Sequence, residues 1–253
     1  MIDIHSHILP CVDDGSQSLE ESLAMARAAV DDGIRQIIAT PHHANGRYDN
    51  PAEGVVKSVG SLNEELRREG IELEVLAGQE IRVYGNLVDD WLGQLLLPLH
   101  RSSYLLIELP TGDVPKHMPD LIHELQVMQL IPIIAHPERN QVLLNNPKRL
   151  QELVELGALG QVTSHSLNGA FGKKIQEVSL HMCKSNLIHF VASDAHNLTS
   201  RSFGLTSAYH VIEEKVGKET ASYFKRNAQA VVEGSRIEAR QLVKAPKKRF
   251  FFW

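Results

Sequence analysis

Nine His, Asp and Glu residues stand in short, separated motifs whose side chains suit divalent metals. His5 and His7 form an HxH pattern near the N-terminus. Asp14 follows in CVDDGS, His42 in TPHH, Glu80 in GQE, Glu108 in LIELP, His136 in AHPER, and Asp194 and His196 in SDAH. Side chains alternate along an extended segment, so His5 and His7 point the same way and can share one ion. Imidazole and carboxylate without thiolate form a donor set for Mn, Fe or Zn, and nine groups exceed the three or four ligands of one tetrahedral zinc site. Two or three ions fit better, with Glu80 placed to bridge two of them. With three ions, the four carboxylates Asp14, Glu80, Glu108 and Asp194 leave a surplus of about +2, which an anion such as a phosphate would neutralise. Arg139, three residues after His136, and Arg201, five after His196, add guanidinium forks that match phosphate oxygens. Each of these residues alone is as easily a buried structural group or a surface ion pair; the recurrence carries the inference.

For the nine to meet, the chain must bring distant segments to one place. Short runs rich in Ile, Val and Leu alternate with longer stretches of helical period, the pattern of βα units around a parallel sheet. Strands are expected at 1–4, 35–40, 73–77, 104–107, 131–135, 159–163 and 187–192. Helices are expected at 19–32, after an N-cap-like Ser18 with Glu21 three residues on, and at 51–69, 117–129, 147–156, 169–184, 203–215 and 218–232. Six of the seven strands then deliver a ligand-type residue beyond their carboxyl ends, where parallel βα folds build active sites.

The bulk numbers exclude other classes. Of 253 residues, 43% are hydrophobic and 23% charged, as in ordinary globular chains. A net charge of -5 gives no reason to expect a nucleic-acid groove. Cys11 and Cys183 lie far apart, which argues against a disulfide framework or a thiolate zinc cluster and for a cytoplasmic protein. Neither cysteine has an arginine six residues on, as thiol-dependent phosphatases require: those positions hold Gln17 and His189. No secretory signal, membrane-spanning run or GxxxxGK[ST] phosphate loop is present. A single domain is expected over residues 1–243. The basic and aromatic segment 244–253, KAPKKRFFFW, is either an unstructured terminus or an element that docks on a partner or an anionic membrane surface.

Together, MIDIHSHILPCVDDG, IIATPHH, GQEIR, IAHPERN and FVASDAHN resemble the polymerase and histidinol phosphatase (PHP) superfamily. Within it, residues 1–235 are most similar to the bacterial capsule and exopolysaccharide tyrosine-protein phosphatases. The resemblance implies an α/β fold, a distorted (β/α)7 TIM-like barrel with a trinuclear centre. It assigns His5, His7, Glu80 and Asp194 to one ion, Glu80, Glu108 and His136 to a second, and Asp14, His42 and His196 to a third. Arg139 and Arg201 would hold phosphate. The implied activity is manganese-dependent hydrolysis of phosphotyrosine by a metal-activated water, on a partner that is a bacterial tyrosine autokinase controlling polysaccharide synthesis. A tyrosyl leaving group, with a free pKa of about 10, depends little on a general acid. His43 is a candidate for that acid, or else a hydrogen-bonding support for a metal ligand. His165, near the end of the sixth expected strand, receives no metal role. The alternative is a small-molecule PHP phosphatase such as histidinol phosphatase.

Overall fold

In a computed structural model the described residues are 1–243, so the expectations for segment 244–253 lie outside them. The strands are β1 (Ile2–Ser6), β2 (Gln36–Ala39), β3 (His42–His43), β4 (Glu74–Ala77), β5 (Glu80–Arg82), β6 (Tyr104–Glu108), β7 (Ile131–Ala135), β8 (Leu159–Thr163) and β9 (Phe190–Ala192). All their pairings are parallel. They form a three-stranded sheet in the order β1-β2-β4 and a six-stranded sheet in the order β3-β5-β6-β7-β8-β9.

The seven expected strands become nine because the second and third, expected to end at residues 40 and 77, are each followed after a break by a further short strand, β3 and β5. Pro41 has no N–H to continue the β2 ladder, and Thr40 N turns to Ser6 O at 2.9 Å. The third breaks at Gly78, where a Cβ would lie 2.7 Å from Ile38 Cγ2, so only glycine allows the approach. Both chains then cross into the second sheet, where His42 pairs with Glu80. The split therefore places two of the expected ligands side by side. At the other edge, a bridge between Ser6 and Ala195 and the bonds His7 N to Ala195 O (2.8 Å) and Asp194 N to His5 O (2.9 Å) tie the end of β1 to the segment after β9.

Around the strands run α1 (Leu19–Asp31), α2 (Ala52–Arg68), α3 (Leu87–Leu92), α4 (Met118–Val127), α5 (Gln141–Asn145), α6 (Lys148–Glu155), α7 (Ser164–Leu167), α8 (Lys173–Lys184), α9 (Leu205–Lys215) and α10 (Lys218–Val232). Helices α3, α5 and α7 and the 3-10 turn Pro137–Arg139 escaped the sequence reading, being too short to display a period. The helix expected from residue 169 begins at Lys173, because Gly169 and Gly172 adopt positive φ. Ser18 caps α1 by accepting from Glu21 N at 3.2 Å, while the Glu21 carboxylate reaches back to Gln17 N, one residue short of a full capping box. Among the described residues no helix is long and apolar enough to cross a membrane.

Two sets of apolar side chains are buried. The larger lies between strands and helices. The smaller, including Ile4, Ile38, Leu76, Leu106, Ile133 and Phe190, comes from one side of the strands and packs on Ala228 and Val231 of α10. Period-two alternation continues these rows: Ile38 leads through Thr40 to His42, Leu76 through Gly78 to Glu80, and Tyr104 through Leu106 to Glu108. The polar groups at the carboxyl ends thus stand on the layer of side chains beneath them.

Candidate metal centre

The centre is built around two imidazoles with assigned tautomers. His5 Nδ1 bonds Gln161 Oε1 at 2.8 Å, and His7 Nδ1 bonds Asp13 Oδ2 at 2.6 Å. The Gln161 amide is oriented by its Nε2 donating to Val162 O at 2.9 Å. With neutral rings these partners hold the proton on Nδ1 and leave a lone pair on each Nε2. The two Nε2 atoms are 3.3 Å apart. Glu80 Oε2 lies 3.4 Å from His5 Nε2 and 3.3 Å from His7 Nε2, and Asp194 Oδ1 is 3.3 Å from each. Four acceptors, almost completely buried, converge on one point, and only protons or a cation can relieve them. Burial works against imidazolium here, yet Glu80 and Asp194 raise the pKa of His5, and Asp13 raises that of His7 well above its usual value.

Two further groups adjoin. His7, Asp14, His42 and His196 form one, with Asp14 Oδ1 at 3.4 Å from His42 Nε2 and 3.5 Å from His196 Nε2. His42, Glu80 and Glu108 form the other, with His42 Nδ1 2.9 Å from Glu80 Oε2 and 3.8 Å from Glu108 Oε2. His136 Nε2 reaches Glu80 Oε1 at 2.7 Å. All nine expected ligand positions therefore come together, but His42 spans two groups through its two ring nitrogens and His7 is common to two. Burial opposes the charge on His42, but Glu80 and Asp14 raise its pKa to about 10. Burial and the neighbouring His7 push His196 down to about 4. Burial and the Glu80 charge raise that of Glu108.

Whether these residues fit metal ions can be tested on their unpartnered atoms. His42 Nδ1, Glu80 Oε2, Glu108 Oε2, Asp194 Oδ1 and His196 Nε2 are buried without a hydrogen-bond partner among the described residues. Each such atom costs about 1–3 kcal/mol unless something else satisfies it, and all five belong to the converging set. The donor set and its unsatisfied valences fit divalent cations. Backbone strain accompanies the site: His136 (φ 32°) and Asp194 (φ 56°) hold left-handed conformations without being glycine.

A polar pocket of about 240 Å³ opens over the groups. Arg139 and Arg201 line it, and both guanidiniums bind Asp194 Oδ2, Arg201 Nη2 at 2.6 Å. They are ion-paired, and they are also at the site. Arg47 and Arg82 line it as well and escaped the sequence reading. Arg82, whose Nη2 is 3.0 Å from Glu108 Oε2, stands two residues after Glu80 on β5, so alternation could have found it. Asp13 and Gln161, which orient His7 and His5, lacked a motif of their own.

His43 is not brought to the pocket. As the strand neighbour of His42 it faces the other way, with Nδ1 3.1 Å from Asp49 Oδ1 and its ring beside Tyr84. That geometry gives it neither the place of an acid to the leaving group nor a bond to a ligand. His165 binds Ser193 O through Nδ1 at 3.1 Å, and its ring packs on Phe171, over which the Arg139 guanidinium lies at 5.3 Å.

Comparison with known proteins gives one consistent result. The family described as capsular polysaccharide synthesis, CpsB/CapC, matches residues 1–233. The tyrosine-protein phosphatase YwqE of Bacillus subtilis is 47% identical over 252 residues, 100% of this chain and 99% of that one. The tyrosine-protein phosphatase CpsB of Streptococcus agalactiae is 31% identical over 243 residues, 94% of this chain and 100% of that one. A crystal structure from work describing YwqE and Streptococcus pneumoniae CpsB as metal-dependent tyrosine phosphatases superposes with TM-score 0.93 at 47% identity, covering 97% of this chain and 100% of that one. An organophosphorus hydrolase shares the fold at TM-score 0.58 and 11% identity, covering 91% and 92%.

Proposed function

The chain belongs to the CpsB/CapC capsular polysaccharide synthesis family, and from that premise we propose that it is a metal-dependent protein-tyrosine phosphatase. The observation that carries the reading is the convergence of His5 Nε2, His7 Nε2, Glu80 Oε2 and Asp194 Oδ1 within 3.4 Å contacts, beneath a pocket lined by four arginines. We assign the nine ligand positions to three ions, with manganese as the working metal. His5, His7, Glu80 and Asp194 would hold one, Asp14, His42 and His196 a second, and Glu108 and His136 a third together with Glu80, whose two carboxylate oxygens allow it to be shared.

Bound divalent ions supply Lewis acidity, which lowers the pKa of a water towards about 7 and offsets phosphoryl charge. The chain's own residues do the rest. Asp13 and Gln161 fix the rings of His7 and His5, so that lone pairs face inward before any ligand arrives. Arg139 and Arg201 share Asp194 Oδ2 and keep N–H groups for phosphate oxygens. Phosphotyrosine in a bacterial tyrosine kinase of polysaccharide synthesis is the proposed substrate, supported by the family and by the names of its members. Residues 1–243 are proposed as one domain. Its two sheets are read as one distorted barrel, supported by the shared chain at the β2–β3 and β4–β5 breaks and by the Ser6–Ala195 bridge.

The test compares kcat/KM of the manganese-loaded protein on a phosphotyrosine peptide, a phosphoserine peptide and histidinol phosphate. A clear preference for phosphotyrosine is expected; a preference for histidinol phosphate would overturn the substrate assignment.

A further inference from the structure

A second cavity of about 660 Å³ adjoins the metal pocket, and Arg47 and Tyr48 line both. These two residues form a partition whose conformation is fixed: Asn45 Oδ1 accepts from Arg47 N at 3.0 Å and from Tyr48 N at 2.8 Å. The Arg47 guanidinium lies 4.9 Å from the centre of the Tyr48 ring, which in turn runs parallel to the His42 ring at an 8° tilt.

Beyond the partition the chemistry changes sign. Asp49 and Asp90 line the second cavity with Tyr48 and Tyr84. Asp49 is 80% exposed, and Asp90 accepts from the Tyr84 hydroxyl at 2.5 Å, which leaves its other oxygen without that duty. His43 also lines the cavity. Its side chain is 5% exposed and its Nδ1, although 3.1 Å from Asp49 Oδ1, lacks the alignment of a hydrogen bond and has no partner among the described residues. Two carboxylates against the single Arg47 guanidinium leave a net charge of about -1, while two tyrosine rings offer faces to an aliphatic stem and a cation. Because Arg47 and Tyr48 line both cavities, a phosphotyrosyl peptide with its phosphate in the metal pocket and its backbone running past these two residues would present a neighbouring side chain, about 3.3 Å further per extended residue, to the second cavity.

We propose that this cavity, walled by Tyr48 and Tyr84 and carrying Asp49 and Asp90, is a subsite for a lysine or arginine side chain flanking the phosphotyrosine of the substrate. The inference rests on the phosphatase reading and adds to it a preference for basic sequence context.

The experiment measures kcat/KM of the metal-loaded full chain on otherwise identical phosphotyrosine peptides with Lys, Ala or Glu beside the phosphotyrosine, each normalised to free phosphotyrosine. The wild type should favour Lys over Ala by about three- to tenfold and disfavour Glu. In Asp49→Asn/Asp90→Asn, which keeps side-chain size and an acceptor for Tyr84, the spread should collapse to within about twofold. Asp49→Lys should favour Glu. An equal rate on all three peptides in the wild type, or a Lys preference that survives both variants, would overturn the subsite while hydrolysis of free phosphotyrosine left the phosphatase reading standing. Failure to hydrolyse any aryl phosphate would remove both.

Discussion

Asp13 stands beside the candidate ligand Asp14 in CVDDGS, and three N–H groups converge on its carboxylate. Oδ2 accepts from His7 Nδ1 at 2.6 Å and from His42 N at 3.0 Å, and Oδ1 accepts from Gly15 N at 2.9 Å. Asp13→Asn changes one atom and cannot keep this pattern. If the amide oxygen faces His7 and His42, the NH2 group meets the Gly15 N–H; if it is turned, two donors lose their acceptor instead of one. Each unpaired buried donor costs about 1–3 kcal/mol. Loss of a partner that orients a metal-binding imidazole lowers metal affinity about 10–100-fold, or roughly 1.4–2.7 kcal/mol. The assay is calorimetric titration of metal-stripped protein with Mn²⁺, paired with thermal unfolding at fixed metal concentration. Expected are tightest-site binding weakened by at least about tenfold and a smaller metal-induced rise in Tm. A variant that binds Mn²⁺ within twofold of wild type, with an unchanged Tm, would refute the orienting role of Asp13.

Other perturbations separate site from scaffold. At Gly15 a Cβ would lie 2.1 Å from His7 O and 2.5 Å from His7 Cβ, so Gly15→Ala must displace the segment carrying His7; Mn²⁺ affinity should fall at least as far as in Asp13→Asn, and unchanged binding would contradict the packing. His189, 1% exposed, with its Nδ1 accepting from Gly160 N at 3.1 Å, is held down to about 4 by burial. The unfolded chain takes up that proton near pH 6.5 and the folded one only near 4, so stability drains as pH falls through this window, by up to about 3 kcal/mol. His189→Gln, which cannot titrate, should flatten that part of the stability–pH curve in urea unfolding. Asp3, raised by burial to about 6, works with the opposite sign, adding stability as pH falls from about 6 towards 3.8; the difference between wild type and His189→Gln isolates the histidine. Coincident curves would show that His189 does not titrate as its burial requires.

The strands were legible because each is a short apolar run, and the candidate ligand positions, Asp14 apart, because each follows such a run within a few residues. The breaks at Pro41 and Gly78 were not, since they depend on which sheet each half-strand joins, a tertiary choice that local pattern does not encode. The same breaks set His42 against Glu80 and so explain why His42 serves two groups. His43, expected as an acid or as a support for a metal ligand, instead faces away from the pocket, because successive residues of a strand face opposite ways. Arg82 obeys that same alternation from Glu80 and could have been read. Gln161 could not, because it meets His5 across 156 positions of the chain, and Asp13 and Tyr48 could not, because no period marks a loop side chain that turns back onto His7 or His42.

Phosphotyrosine hydrolysis is proposed to depend on ions held by these nine residues. The most direct measurement strips the protein of metal, verifies the removal by elemental analysis, and follows kcat/KM on a phosphotyrosine peptide as Mn²⁺ is returned, with His136→Ala alongside. Expected are hydrolysis at background without metal, recovery that tracks bound Mn²⁺ up to three ions per chain, and no comparable recovery in a folded His136→Ala protein. Activity that survives verified metal removal, or full recovery in His136→Ala, would contradict it.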